Sequence, residues 1–456
     1  MIDITNVPAV GYSTVELSEF NFCGKFSSTV TTTPSEQIKA ITVSNSSNII
    51  LNKIHFNTFD IVAKCNGNAE ANSPTYKCDN IRFEDCTAEN VNNGLMMYSV
   101  TDLKVRNFRI DVTESDWVLD GVGIMLSDNC YGANIEDLSV LNAKFAPVVC
   151  RYGVWDSDAT HGIFFKNLLV DGTRGSAVTV TEHNIPIRFA NAMVTDVAVG
   201  MTMTNAENVT MVNSSVLINN DVTNPTKKRV FIFNGLSRAK FTKTQFEFPA
   251  DFQDYSSTTA IAVQGEGETA AKPASEIAFV DCTLQKTDMP GVPNVDRAVG
   301  FGKIGYSGTA DNQIIETFDA CEFRSYQSEY ILYNDANEIV GYAFPIEIHT
   351  RHSTNSKIIF KNSRFVNDSA CTLPYFFTST ENSLGNLVVY NCFFENYTYS
   401  KEEDGVPVYH LFASAINNDV IVTGSFGFDI FAKCNMRSST PMRNTGTVIN
   451  ETKAYE

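Results

Sequence analysis

Residues that could act on a sugar are concentrated between Glu114 and His183 of this 456-residue chain. Both tryptophans lie in this stretch, together with two of the six histidines and several carboxylates. An indole ring offers an apolar face on which a pyranose can stack, and carboxylate oxygens accept hydrogen bonds from its hydroxyls. This combination of residue types predicts a carbohydrate-binding surface.

Within and just beyond this stretch, Asp128, Tyr152, Glu182 and Asn205 each come directly after a short apolar segment. If these segments are equivalent strands of neighbouring repeats, the four residues stack in one column with ~4.8 Å between steps. Asp128 and Glu182 would then lie two steps apart, about 9–10 Å. That separation is at the upper edge of the roughly 6.5–9.5 Å expected for the two carboxylates of an inverting glycosidase.

The other candidates come from the loop after Cys150 and from the two tryptophan segments. The candidate catalytic residues are Asp128, Glu182, Asp156 and Asp158. The candidate substrate-binding residues are Arg151, Tyr152, Trp155, His161, His183, Trp117 and Asp120. An acid after a strand also commonly caps a turn, and the histidines and tryptophans also suit structural, core or interface positions. Those alternatives stay open. No paired-ligand spacing indicates a metal site, and we expect no cofactor.

The elements that must position these residues are indicated by a recurring nine-residue motif. It has apolar residues at positions i and i+2, Asn or Asp at i+4, a small or apolar residue at i+5 and usually an apolar residue at i+7. Clear examples are Asn80–Ala88 (NIRFEDCTA), Glu276–Leu284 (EIAFVDCTL), Lys357–Phe365 (KIIFKNSRF) and Asn386–Phe394 (NLVVYNCFF). Eight of the eleven clear copies carry Asn or Asp at i+4: Asp85, Asn107, Asn167, Asn191, Asn213, Asp281, Asn362 and Asn391. Weaker copies begin near Ile135 and Val420.

The motif has a direct physical interpretation. Alternation at i and i+2 is the periodicity of a β-strand. The odd step from i+2 to i+5 requires a bend if both residues are to face one interior, and Asn and Asp tolerate the left-handed conformation that such a bend needs. Small i+5 residues such as Cys86 and Cys282 would stack in a tight corner of that interior.

A second short strand follows many copies, for example Gly94–Tyr98, Gly123–Leu126, Ala177–Val180 and Tyr330–Tyr333. The gaps between copies vary from 22 to 42 residues, as expected for β-coils whose loops differ in length. We therefore predict an all-β fold, a right-handed parallel β-helix of roughly a dozen three-strand coils. It would span residues 43–430, after an N-terminal strand or cap region (1–42) and before a short tail (431–456). An antiparallel β-sandwich is the alternative, but Asn-Gly hairpin signals are scarce.

Composition narrows the function classes. The chain has 34 basic and 52 acidic residues, a formal net charge of −18, which argues against nucleic acid or an anionic membrane as the partner. No apolar run is long enough for a transmembrane helix, so we expect no membrane insertion, and the first residues show no secretory leader. The eleven cysteines are an odd number without a Cys-x-x-Cys pair, which indicates buried thiols rather than a disulfide scaffold.

The repeated motif resembles that of the pectin-lyase-like superfamily of parallel β-helix proteins, over roughly Val43–Phe428. Among its members the chain looks most like a bacteriophage tailspike or receptor-binding protein, given the missing leader, the acidic Asn/Thr/Ser-rich composition and the long insertions. The resemblance implies a homotrimer in the virion that binds bacterial surface polysaccharide, with cleavage by a glycosidase or lyase activity left open.

Two other functions remain. One is a free extracellular enzyme of the same superfamily that degrades polysaccharide. The other is a non-catalytic structural fibre or decoration protein. The set of active-site motifs that polygalacturonases carry on consecutive coils is incomplete in this sequence, and no pectate-lyase calcium site can be identified. The resemblance therefore transfers no catalytic residue to this chain.

Overall fold

The structure is a computed structural model that describes the following residues: 1–5, 7, 14–26, 37–67, 77–112, 121–154, 161–218, 229–249, 261–264, 275–287, 303–304, 314–325, 331–333, 339–342, 346–348, 357–372, 377–379, 386–390, 392–398, 401–403, 406–408, 412–413 and 420–423. All regular structure in these ranges is β-strand. They contain no helix that is long and apolar enough to cross a membrane. The chain divides into two compact units, Met1–Leu217 and Ile218–Glu456.

The strands that begin in the first unit are β1 Ile2–Thr5, β2 Val15–Ser18, β3 Asn21–Cys23, β4 Lys39–Ser44, β5 Ser47–Asn52, β6 His55–Asn66, β7 Cys78–Tyr98, β8 Val100–Thr101, β9 Lys104–Val112, β10 Val122–Ser127, β11 Asn134–Leu141, β12 Ala146–Gly153, β13 Ile163–Lys166, β14 Leu169–His183, β15 Ile187–Ala190, β16 Met193–Val212 and β17 Ser215–Ile218.

Those of the second unit are β18 Arg229–Thr242, β19 Gln245–Pro249, β20 Ile261–Gln264, β21 Ser275–Val280, β22 Thr283–Thr287, β23 Lys303–Ile304, β24 Ile314–Asp319, β25 Glu322–Ser325, β26 Ile331–Tyr333, β27 Ile339–Tyr342, β28 Ile346–Ile348, β29 Lys357–Lys361, β30 Arg364–Thr372, β31 Phe377–Ser379, β32 Asn386–Tyr390, β33 Phe393–Thr398, β34 Lys401–Glu403, β35 Val406–Val408, β36 Phe412–Ala413 and β37 Val420–Thr423.

In the first unit these strands pair in parallel and form three ladders. The first ladder runs through β1, β4, β6, β7, β10, β12, β14 and β16. The second runs through β2, β5, β7, β9, β11, β13, β15 and β16. The third runs through β3, β6, β7, β9, β11, β14 and β16. Long strands such as β7 contribute successive segments to all three.

The second unit has the same kind of pairing. One ladder joins β18, β21, β24, β29, β32 and β37, and another joins β19, β22, β25, β30 and β33. A third joins β18, β20, β23, β28, β31 and β36. The parallel pairing in both units shows that the antiparallel sandwich is the wrong alternative.

Side chains at equivalent positions stack because the ladders are in register. Phe165 and Phe189, paired in β13 and β15, have ring centroids 4.9 Å apart at an interplanar angle of 12°. In the second unit Phe318 lies between Phe279 and Phe360, at 4.8 Å and 5.0 Å. All five rings are fully buried, so these aromatic stacks are part of the apolar core.

The predicted bend at i+4 is confirmed. Every clear copy whose i+4 residue is described has a positive φ there, between 48° and 55°. This includes the three copies without Asn or Asp, at Lys53, Lys243 and Ala320. The i+5 residues are buried as predicted; Cys86, for example, is 1% exposed. The weak copies are also confirmed as ladder strands, β11 and β37.

One predicted strand is wrong. Tyr330–Tyr333 was expected to be the second strand of a parallel coil, but its described part, β26, pairs antiparallel with β27. The parallel ladder is continued instead by β28. Parallel pairing also includes β1–β3, upstream of Val43. The predicted tail, residues 431–456, lies outside the described ranges.

The bends of neighbouring copies are joined by side-chain hydrogen bonds. Asn107 Nδ2 donates to Asp85 Oδ1 at 2.8 Å, and Asn167 Nδ2 donates to Asp137 Oδ1 at 2.9 Å. Asn167 Oδ1 in turn accepts a hydrogen bond from Asn191 Nδ2 at 3.2 Å. Asn thus combines tolerance of the left-handed backbone with a donor and an acceptor for the bends on both sides.

Replacing Asn167 by Ala tests this role. Ala in a left-handed conformation costs about 1–2 kcal/mol, and the two lost hydrogen bonds add about 1 kcal/mol. We expect N167A to lower the free energy of unfolding of the first unit by about 2–3 kcal/mol in urea titrations, and N167G to lower it by about 1 kcal/mol less, since Gly accepts the bend. Equal losses in the two variants would contradict a backbone role for Asn167.

Candidate functional site

The predicted column of polar residues is present on the first ladder. The pairing places Ser127 beside Arg151 and Arg151 beside Thr181, and Thr181 pairs with Thr204. The next residue on each strand completes the column: Asp128, Tyr152, Glu182 and Asn205. The register therefore confirms the alignment inferred from the sequence, with Asp128 and Glu182 two steps, or about 10 Å, apart.

This column lies at a bend. Its four residues have φ values of 58°, 55°, 47° and 48° in chain order. Tyr152, Glu182 and Asn205 are exposed, and Asp128 is half-buried. The backbone N–H of Asn129 donates to the carbonyl of Tyr152 at 3.0 Å, and Asn129 Oδ1 accepts from the N–H of Val154 at 2.7 Å. The two carboxylates thus flank Tyr152 on the solvent side of a hydrogen-bonded corner.

Tyr152 and Glu182 are unusual residues for this conformation. Of the 27 non-glycine residues with positive φ in the described ranges, 19 are Asn or Asp, and Tyr152 is the one aromatic among them. A bulky side chain in the left-handed region carries a strain of roughly 1–2 kcal/mol. Residues that adopt this conformation despite the strain are candidates for function rather than for turn formation.

A second row of side chains lies beside the column, on the outer face of the first ladder. The register aligns Tyr98 with Ser127 and Ser127 with Arg151. The residues before them, Met97, Leu126 and Cys150, are at most 1% exposed and face the core. Strand alternation therefore directs Tyr98, Ser127 and Arg151 to the other side of the ladder, where Tyr98 and Arg151 are partly exposed and Ser127 is 1% exposed.

Contacts join this row into a continuous polar and aromatic strip. Arg151 Nε donates to Ser127 Oγ at 3.2 Å, and the Arg151 guanidinium lies 5.3 Å from the centre of the Tyr152 ring. At the other end, Lys64 Nζ lies 5.4 Å from the centre of the Tyr98 ring. Cations near aromatic faces are attracted to those rings, so these contacts favour the observed placement of Lys64 beside Tyr98 and of Arg151 beside Tyr152.

The same face has an apolar base. Val122, Met125, Ala146 and Val149 form a buried cluster against which Met96 and Tyr98 are partly buried. We call Met96, Tyr98, Met125, Ser127, Val149 and Arg151 the first-ladder face. Met96, Tyr98 and Arg151 are its partly exposed members, whereas Met125, Ser127 and Val149 are at most 8% exposed, and the carboxylate column borders it.

Tyr98 links the row to the column electrostatically. Burial raises the pKa of its phenol, Arg151 opposes that increase and Asp128 adds to it. The phenol, the guanidinium and the Asp128 carboxylate therefore interact across neighbouring strands. The face combines a hydrogen-bond donor and acceptor with one positive and one negative charge.

His183, predicted to bind substrate, is 2% exposed. Its strand position pairs with Gly153, where a Cβ would lie 2.3 Å from His183 Nε2, so only glycine leaves room for the ring. Nδ1 is buried without a hydrogen-bond partner. Burial lowers the pKa of His183 to about 4, with an opposing backbone interaction at Ile185. A neutral ring enclosed in this way can influence a ligand at Glu182 only through its neighbours.

The remaining candidates are at the margin of this site or outside it. His161 is exposed, and its carbonyl accepts a hydrogen bond from the N–H of Gly132 at 3.0 Å. Trp117, Asp120, Trp155, Asp156 and Asp158 lie outside the described residues. Within the described part of the chain, no group of three or more His, Cys, Asp or Glu side chains could hold a metal ion.

The sequence prediction missed Tyr98, Ser127 and Lys64. Tyr98 ends the apolar segment Gly94–Tyr98 and lies one residue before the column position. The residues that precede Asp128 and Tyr152 in the sequence, Ser127 and Arg151, belong to the same row, so this position in each segment would have indicated the row. Lys64 gave no such signal, because the segment that contains it was not recognised as a strand equivalent to β7.

No protein-family model matches the chain, and no curated protein matches it in sequence. The chemistry of the first-ladder face and its carboxylate column is therefore the basis for assigning a function.

The buried His183 predicts an acid-sensitive step in stability. Its pKa lies below that of the unfolded chain, so the unfolded state binds the extra proton, and stability falls as the pH decreases from about 6.5 towards 4. The difference between 6.5 and about 4 corresponds to roughly 3 kcal/mol at 1.36 kcal/mol per pH unit. We expect His183→Gln to flatten the urea-unfolding profile of the first unit over this range, whereas His161→Gln, an exposed control, keeps it. An unchanged profile in His183→Gln would contradict the burial of a neutral imidazole.

Proposed function

We propose that each unit winds as a right-handed parallel β-helix, with roughly a dozen three-strand coils in the chain as a whole. The support is the set of three parallel ladders, in which each strand pairs with an equivalent strand one repeat later. Parallel strands joined by crossover connections are right-handed in about 98% of cases. In such a coil the outer side of one ladder is a long, nearly flat surface.

We propose further that the first-ladder face binds polysaccharide. The observation that carries this proposal is the partly exposed pair Tyr98 and Arg151, with the buried Ser127 between them as a hydrogen-bond acceptor for Arg151, beside the column Asp128–Tyr152–Glu182. Aromatic and apolar groups suit the C–H faces of sugar rings, while the guanidinium, hydroxyl and carboxylate groups suit their hydroxyls. Steps of ~4.8 Å repeat these groups along the ladder, and an extended chain of sugars could contact several steps at once.

The polysaccharide we propose is one from the bacterial surface, bound by a homotrimeric tailspike-like protein of a virion. The support is the likeness of the repeat to the pectin-lyase-like superfamily, which includes tailspikes, together with the acidic, Asn-, Thr- and Ser-rich composition and the long insertions between copies. A negative net charge of −18 also suits a protein that must avoid nonspecific adhesion to nucleic acid.

Binding can be tested with fluorescently labelled capsular polysaccharides and lipopolysaccharides from a panel of bacteria. We expect at least one to bind, and Tyr98→Ala and Arg151→Ala each to weaken its affinity by about 10-fold or more, since each removes a central contact worth at least about 1.4 kcal/mol. Arg188→Ala, an exposed arginine on the second ladder, is the matched control and should bind as the unaltered chain does. Absence of binding across a broad panel would favour a structural fibre instead.

A second function, hydrolysis at the same face, is favoured by the spacing of Asp128 and Glu182. Two ladder steps separate these positions by about 9.6 Å, at the upper edge of the roughly 6.5–9.5 Å between the carboxyl groups of an inverting pair, which leaves room for a water molecule on the opposite side of the sugar from the leaving group. One carboxylic acid would give its proton to the glycosidic oxygen as the bond to the anomeric carbon breaks. The other carboxylate would take a proton from the attacking water.

Cleavage is measured as the release of reducing ends from a polysaccharide that the protein binds. We expect Asp128→Asn and Glu182→Gln each to reduce the rate by at least about 100-fold, because general acid–base groups contribute about 10²–10⁴, while affinity stays within a few-fold. Glu136→Gln, an ion-paired glutamate of the second ladder, is the control. Undiminished release from both site variants would show that these carboxylates are not the catalytic pair, and binding without release would leave recognition as the function. Cleavage of a plant polyuronide without bacterial binding would support the free enzyme instead.

A further inference from the structure

The second unit holds a carboxylic acid at a core position. Glu316 of β24 is 0% exposed, and neither carboxyl oxygen has a hydrogen-bond partner. In the ten other clear copies the residue at this first motif position is apolar: Ile49, Ile81, Leu103, Ile163, Ile187, Val209, Ala239, Ile277, Ile358 and Leu387. Glu316 therefore replaces an aliphatic side chain in the stack.

The neighbours of Glu316 on both sides are isoleucines. The register pairs Glu316 with Ile277 of β21 and with Ile358 of β29, and both are at most 1% exposed. The charged residues of those strands, Glu276, Lys357 and Lys361, occupy the alternate positions that face outward. No charged group on the two strands packed against β24 is thus placed to compensate a carboxylate at Glu316.

Acids of β24 and of the next strand, β25, are compensated. Asp319, at the end of β24, lies 3.0 Å from Lys361 Nζ and accepts a hydrogen bond from Asn362 Nδ2 at 2.9 Å. Glu322 is paired with Arg324 and Arg364 at 3.0 Å and 3.3 Å. Glu316 differs from both in having no hydrogen-bond partner on either carboxyl oxygen, and burial raises the pKa of its carboxyl well above the usual range.

We propose that Glu316 is a pH-sensitive lock in the second unit: β24 stays packed between β21 and β29 while the Glu316 carboxyl is protonated, and alkalinity releases it. An isolated carboxylate in an apolar interior costs several kcal/mol. The Glu316 carboxyl therefore loses its proton only when β24 has moved to a less tightly packed state. The protonated acid is close to isoleucine in size and fills the same space in the stack.

The sign of the effect follows from proton linkage. The folded state retains the proton at pH values where an unfolded glutamic acid, with a pKa of about 4.3, has lost it. Folding therefore takes up a proton. The free energy of unfolding decreases as the pH rises from the pKa of the unfolded glutamic acid towards the higher pKa of Glu316 in the folded state. The unfolding equilibrium constant of the second unit should increase by up to about 10-fold per pH unit in that window.

The experiment compares the full-length chain with Glu316→Gln and Glu316→Ile in urea titrations between pH 5 and pH 9. Both replacements remove the proton, and Ile also restores the side chain found in the neighbouring copies. We expect the excess of the wild-type unfolding constant over that of each variant to grow with pH, by about 10-fold per unit where the linkage is fully expressed. Glu276→Gln, an exposed glutamate on β21, is the matched control and should keep the wild-type pH dependence.

Hydrogen exchange locates the effect. At pH 8 the amides of β24 should exchange faster in the wild type than in Glu316→Ile measured at the same pH, while β13 and β15 of the first unit exchange equally in both. Parallel pH profiles for the wild type and both variants would overturn the proposal. So would failure of both variants to fold at every pH, since a neutral residue would then be unable to replace the protonated acid.

Discussion

Parallel, in-register hydrogen bonding between strands one repeat apart is the interaction on which the rest of this structure depends. It places Arg82 beside Lys104, 22 residues away, and Asn134 beside Phe164, 30 residues away. The strands stay in register although the two repeats differ in length. Loops of any length can then leave the ladders, because the backbone bonds fix only the strands. Every residue above or below another in the site or the core owes its neighbour to this register.

The same register imposes a constraint that the bends must satisfy. A chain that turns a corner in each repeat needs a left-handed residue there, and bends that lie above one another must also satisfy their polar side chains. Asn and Asp meet both needs, as in the hydrogen bond from Asn167 to Asp137. Tyr152 and Glu182 occupy bend positions instead. Their backbone is more strained there than that of Asn or Asp would be, and their side chains offer different chemistry.

Stacking also explains the two unusual buried groups. A side chain in a ladder is enclosed by its neighbours above and below, so its environment is set by residues one repeat away. His183 fits because its ring lies beside Gly153, and burial lowers its pKa; Glu316 has aliphatic neighbours because Ile277 and Ile358 pair with it. Both groups link stability to pH, in opposite directions and in different units.

The sequence by itself determined the repeat, the bend at i+4, the buried corner at i+5 and the column that joins Asp128 to Glu182. These could be predicted because each depends on a few consecutive residues, and an in-register stack transfers that local pattern from copy to copy. Only the tertiary structure decided that Tyr98, Lys64 and Arg151 share a face, that His183 is enclosed, and that β26 turns back to pair with β27. Those outcomes depend on which residue lies one repeat away and on where a loop folds back. Neither can be deduced from spacing along the chain when the repeat length varies.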